Sequence, residues 1–183
     1  TGGGIAVANA DGSDRQIVLE NTASRHYTHP RFAPDGKRLA VVAHQQGYRS
    51  TRDIAVLDLA TKGLTSLTTD GVGAMAYNTD PAWSPDGQWL VYASKRSCQM
   101  ALYQVPAAGG ASRPLTESTP EAQRGPDVAA DGRRILYSTE TERLDIGRVG
   151  LNGGPAEVVT ADVWPDRFPV YSPNGKRIAF RAQ

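Results

Sequence analysis

Apolar residues in this chain come in short runs, at 39–43, 90–93, 135–138 and 178–180, rich in β-branched and aromatic side chains. None has the three-and-four spacing of an amphipathic helix, so each run predicts a strand. A polar turn stands just before every run: Ala33-Pro34-Asp35-Gly36, Ser84-Pro85-Asp86-Gly87, Ala129-Ala130-Asp131-Gly132 and Ser172-Pro173-Asn174-Gly175. Pro presets φ at the second turn position and Gly accepts positive φ, which predicts a tight hairpin from a preceding strand that carries Phe32, Trp83, Val128 or Tyr171. The third copy has Ala130 in place of Pro and Val128 in place of an aromatic, so a looser first hairpin is expected there.

Further strands follow each hairpin. Runs at 54–59, 101–105 and 144–149 lead through Gly-containing turns at 60–63, 107–110 and 151–154 into short fourth strands that close on Leu67-Thr68, Leu115-Thr116 and Val159-Thr160. Pro114 and Pro155 lie in or just before fourth strands, where a missing N–H is tolerated only on an outer edge. The turn residues at 35, 86, 131 and 174 recur at intervals of 51, 45 and 43 residues, the period of a four-stranded propeller blade. The fold class is therefore all-β: a β-propeller of four-stranded antiparallel blades, with whole blades at about 29–70, 80–117 and 125–160. Residues 1–20 read as the third and fourth strands of a unit, and 168–183 as the first and second.

Two complementary half-blades leave open sheet edges, which invite pairing. Three closures are open at this level: pairing within one chain to make four blades, pairing between two chains to make eight, or completion by a further segment of a longer propeller.

Composition narrows the function. Twenty basic and nineteen acidic residues leave a net charge of +1, which argues against a polybasic nucleic-acid or anionic-lipid surface. Nineteen Gly and twelve Pro fit a turn-rich fold. One Cys excludes an internal disulfide and a cysteine zinc cage, leaving Cys98 a lone thiol beside Lys95 and Arg96. No apolar run approaches the roughly 20 residues of a membrane helix, so no membrane insertion is expected.

The repeat resembles the Pro-Asp-Gly, WD40-like unit of TolB-type β-propellers along essentially the whole chain. That resemblance implies a non-catalytic scaffold that binds a protein or peptide partner, in a periplasmic or secreted setting. It also implies rivals: the gating propeller of a prolyl-oligopeptidase-type peptidase, a metal-dependent sugar-acid lyase, or a carbohydrate-binding propeller.

Propeller connectivity gathers the long segments 20–29, 44–52, 69–80, 116–125 and 161–167 on one face, opposite the short Gly turns. At the starts of the first strands the candidate ligand-binding residues are His26, Tyr27, His29, Tyr77, Asn78, Arg124, Trp164 and Arg167, with Asp80, Gln123 and Asp166 beside them. Tyr, Trp and Arg dominate binding hot spots, although any one of these residues could instead anchor a loop, Asp80 above all through an Asx turn.

Motifs for chemistry are sparse. No Gly-x-Ser-x-Gly elbow, His-Glu-x-x-His or Walker loop occurs. His26-x-x-His29 could place two imidazoles near a metal, but the sequence fixes no further ligand. Gly71-Val72-Gly73-Ala74-Met75-Ala76 fits a dinucleotide fingerprint formally, yet Pro81 follows too soon for a βαβ unit. No catalytic residue, cofactor or metal is expected.

Overall fold

The computed structural model describes residues 3–45, 51–69, 77–96, 99–117, 119, 121–140, 145–160 and 166–181. Among the described residues sixteen strands form five antiparallel sheets. The first whole blade contains β3 (Arg25–Phe32), β4 (Arg38–Gln45), β5 (Thr51–Asp58) and β6 (Leu64–Ser66). The second contains β7 (Asn78–Trp83), β8 (Trp89–Ser94), β9 (Ala101–Pro106) and β10 (Arg113–Pro114). The third contains β11 (Ala122–Val128), β12 (Arg134–Glu140), β13 (Ile146–Gly150) and β14 (Glu157–Val158). In each, the strands pair in chain order, as the repeat predicts. Two-stranded sheets flank them: β1 (Gly4–Val7) with β2 (Gln16–Glu20), and β15 (Arg167–Tyr171) with β16 (Ile178–Arg181). Among the described residues these two half-blades do not pair with each other.

The apolar runs are continuous because both faces of a blade are covered. On β4, Leu39 and Val41 pack with Ile5 of the first half-blade, while Ala40 and Val42 pack with Trp83, Leu90 and Tyr92 of the second blade. The next layer joins Val91, Met100 and Leu102 to Ile135, Tyr137 and Val149. Polar ties cross the same layers. Trp83 Nε1 donates to the Arg31 carbonyl at 3.0 Å, and the Tyr171 N–H donates to Asp127 Oδ2 at 2.8 Å.

The Pro-Asp-Gly turns take one form in all four copies. Gly36, Gly87, Gly132 and Gly175 have φ between 66° and 67°. The turn carboxylate or amide accepts the N–H two residues on, as Asp35 does from Lys37 at 2.8 Å and Asp131 from Arg133 at 2.9 Å. The expected looser third hairpin is thus corrected: Ala129 N donates to the Arg134 carbonyl at 2.8 Å, the same length as Ala33 N to Arg38. The Asx bond and left-handed Gly hold the turn, so a missing Pro changes the unfolded chain more than the folded one.

The fourth-strand threonines explain the Leu-Thr and Val-Thr endings. Thr68 Oγ1 accepts the Ile54 N–H at 3.0 Å and the Asn78 amide at 3.1 Å, and donates to Asp53 Oδ1 at 2.9 Å. Thr116 repeats this, accepting from Leu102 N at 2.9 Å and bonding Gln123 Oε1. Each hydroxyl ties its own third strand to the first strand of the next blade. Thr160 accepts from its own third strand at Ile146 N, 2.9 Å, but has no corresponding bond to Asp166.

Candidate functional site at the long-loop end of the channel

Every first strand has a β-bulge before its repeated Pro. The residue there is left-handed in all four copies: His29 (φ 53°), Asp80 (φ 53°), Gly125 (φ 56°) and Phe168 (φ 57°). Glycine adopts this conformation freely; the other three are held in a region rare for L-residues, and a bulky Phe there is a strong outlier. The first strands β3, β7, β11 and β15 lie side by side, so the four bulge residues fall in one arc. His29 Nε2 is 3.5 Å from Asp80 Oδ1. Gly125 N–H approaches Asp80 Oδ2 at 3.4 Å, and the Phe168 ring borders Gly125. Phe168 is 65% exposed.

The bulge also decides which side chains meet above this arc. Phe32 pairs with Leu39 and Arg31 with Ala40, but past the bulge the register slips by one, bringing His26 opposite His44 rather than Gln45. Arg52 lies on the far side of His44 on β5. The His26 and His44 rings stack at 4.2 Å. Burial, reinforced by Arg52, His26 and His29, pushes the His44 pKa down to about 4, so His44 is neutral near pH 7. The Thr28 hydroxyl stands between His44 Nε2 (2.7 Å) and His29 Nδ1 (2.9 Å). Arg52 stacks its guanidinium 3.8 Å over the Tyr77 ring, beside a parallel backbone bridge between the same two residues. The Arg52 pKa is lowered from its ordinary value by partial burial and by Arg124, with Asp80 opposing. Two guanidinium groups therefore share one neighbourhood with one carboxylate.

The residues expected from the sequence separate into two groups. His26, His29, Tyr77, Asp80 and Arg124 belong to this cluster. Asn78 is fully buried, and Gln123 nearly so, in the threonine ties between blades. Tyr27 is half-buried against the first blade's inner layer, and its N–H donates to Asn21 Oδ1 at 3.0 Å. Arg167 is half-buried at the start of β15. Asp166, at the position equivalent to Asn78, is fully buried with neither carboxylate oxygen hydrogen-bonded. Trp164, Cys98 and the 71–76 stretch lie outside the described residues. Sequence reasoning passed over Thr28, His44 and Arg52 as site residues; the signal that finds them is cross-strand register, hidden until the bulge is known.

Thr28, His29 and Asp80 follow the order hydroxyl, imidazole, carboxylate. This is a poor fit to hydroxyl activation. Thr28 is held between two imidazoles, and 3.5 Å between His29 and Asp80 is an ionic contact rather than a hydrogen bond. Among the described residues no three His, Cys, Asp or Glu side chains converge as a metal-binding group. The cluster's resources are recognition groups: two guanidinium groups, one carboxylate, neutral His44 and exposed Phe168.

The family profile described as "TolB beta propeller domain" matches residues 3–183. The chain belongs to that family. It is 33% identical to the uncharacterized protein Atu1656 of Agrobacterium fabrum over 99 residues, 54% of this chain and 33% of that protein. It is 34% identical to the uncharacterized peptidase YuxL of Bacillus subtilis over 131 residues, 68% of this chain and 19% of that one. The chain thus spans a third or less of these curated relatives. The solved structure of a protein described as a TolB from Agrobacterium tumefaciens superposes with a TM-score of 0.64 at 22% identity, covering 93% of this chain and 74% of that one. That likeness supports the fold.

Proposed function

We propose that this TolB-family propeller is a non-catalytic module that binds a protein or peptide partner through its long-loop face. The observation that carries the reading is the arc of left-handed bulges, which places His29, Asp80 and Phe168 together on a rigid frame beneath Arg52, Tyr77 and Arg124. Three of the four bulge positions hold non-glycine residues in a sparse conformation, and backbone outliers of this kind cluster at ligand sites. The groups suit a peptide: paired guanidinium groups for a carboxylate, Asp80 for a donor, and Phe168 for an apolar side chain. The periplasmic or secreted setting and the absence of nucleic-acid partners belong to the same proposal.

A peptide array probed with the folded chain tests it. Bound sequences should contain an acidic residue or free carboxylate, and Arg52→Ala and Phe168→Ala should each weaken binding tenfold or more with the melting temperature within a few degrees of the parent. Binding unaffected by either change would refute the site.

A second reading rests on the similarity to YuxL: the propeller could be one part of a larger peptidase. The same face would then admit substrate to a separate catalytic domain. The full reading frame separates the two, because this reading requires a hydrolase domain on the same polypeptide.

A further inference from the structure

Successive layers between blades surround the same tyrosine differently. In the layer between the first and second blades, Arg96 fills the space beside Tyr92. Its Nη2 donates to the Tyr92 hydroxyl at 2.7 Å, and its guanidinium lies 4.3 Å over the Tyr103 ring. Tyr92 in turn donates to Ser112 Oγ at 2.7 Å. One blade on, Tyr137 stands at the repeat position of Tyr92, but Glu140 at that of Arg96, Gly147 at that of Tyr103 and Ala156 at that of Ser112. Among the described residues the Tyr137 hydroxyl has no hydrogen-bond partner. A Cβ at Gly147 would lie 2.8 Å from its ring, so the ring rests on bare backbone. A cavity of about 1020 Å³ opens at this place between the second and third blades.

The charge on its wall is one-sided. Burial and the neighbouring Glu121 carboxylate push the Tyr137 phenol up. Asp145 lines the same wall with Oδ1 buried and without a hydrogen bond, an arrangement that costs free energy until a donor reaches it. Glu117 is exposed at the edge. Glu157 also lines the cavity but is paired with Arg148. None of the described lining residues is basic. The second layer thus has the carboxylates and the free phenol, whereas the first layer has its own guanidinium.

We propose that this cavity receives an arginine side chain of a bound peptide, its guanidinium taking beside Tyr137 the place that Arg96 takes beside Tyr92, with Glu121 and Asp145 as counter-charges. A planar fork of five N–H donors suits a hydroxyl and separate carboxylate oxygens together better than a compact ammonium does. Val158, 69% exposed on the outer strand that lines the cavity, gives the aliphatic stem an apolar surface to cover. The site shares no residue with the arc of bulges, so it goes beyond the long-loop reading and stands or falls separately from it.

Amide chemical-shift titration of the chain with N-acetyl-arginine amide tests the assignment. Saturable shifts are expected at Glu121, Tyr137 and Gly147. N-acetyl-citrulline amide, which keeps the shape without the charge, should bind about tenfold or more weakly. Glu121→Gln and Asp145→Asn should each weaken binding of the arginine compound about fivefold or more while leaving the melting temperature within a few degrees of the parent. No saturable shift at those amides, equal binding of the citrulline compound, or parental affinity in both variants would overturn the proposal.

Discussion

Replacing Trp83 with Ala removes the largest side chain in the layer between the first and second blades. The indole is 9% exposed and packs with Ala40, Val42, Ile54 and Val56 across the layer. Burial of a Trp removes roughly 150–250 Å² from water, worth about 4–6 kcal/mol as an upper bound at roughly 25 cal/mol per Å². Measured Trp→Ala changes in cores cost about 3–5 kcal/mol, so about 4 kcal/mol is the expected loss. Part of it is polar: the indole N–H donates to the Arg31 carbonyl at 3.0 Å, a bond worth about 1 kcal/mol. Arg38 also lies 4.9 Å over the ring. Trp83→Phe should therefore lose only about 1–2 kcal/mol, retaining most of the packing while giving up the hydrogen bond. Urea unfolding followed by circular dichroism measures both variants. For a chain of this length, 4 kcal/mol corresponds to a fall in Tm of roughly 8–16 °C. A Trp83→Ala loss below about 1 kcal/mol, or equal losses for the two variants, would refute the view that this ring holds the blades together.

Three further outcomes follow from individual contacts. Thr68→Val leaves buried Asn78 and the Ile54 N–H short of a partner and should cost about 1–3 kcal/mol in urea unfolding; an unchanged midpoint would mean the hydroxyl is not the tie between blades. Gly87 has φ 66°, and a Cβ there lies 3.1 Å from an Arg38 guanidinium nitrogen, so Gly87→Val should destabilise by about 1 kcal/mol or more, whereas an unaltered Tm contradicts the turn assignment. His44 titrates near 4 in the folded chain against about 6.5 unfolded. Its unfolded form therefore binds more protons between those values, and stability contributed by neutral His44 is present above about pH 6.5 and lost as pH falls toward 4. His44→Gln should flatten that part of the stability–pH curve, and a parallel curve would show that His44 is not the group responsible.

Local turn chemistry made the fold legible. Pro34, Asp35 and Gly36 act within a few residues of one another, and so do their counterparts, so their period could be counted without knowing any long-range contact. The site was harder to read. His26, His29, Tyr77 and Asp80 fall in one cluster because connectivity places first-strand starts at one end of the blades, but Asn78 and Gln123 share that placement and turn into the blade interface. Alternation along the strand separates them, and the left-handed residue before Pro resets it. The same bulge hid His44: a hairpin counted back from Pro34 puts His26 opposite Gln45, and the single extra residue moves it onto the imidazole. Ala130 shows the reverse case, a departure from the motif that alters nothing in the folded turn because Asp131 and Gly132 suffice.

The claim that the long-loop end of the channel is where this propeller meets its partner is tested most directly by amide chemical-shift mapping with a peptide selected on the array. Shifts are predicted to concentrate at His29, Arg52, Tyr77, Asp80, Gly125 and Phe168, leaving Gly36, Gly87, Gly132 and Gly175 on the opposite face unmoved. Shifts centred on those four turns, with the bulge residues silent, would contradict it.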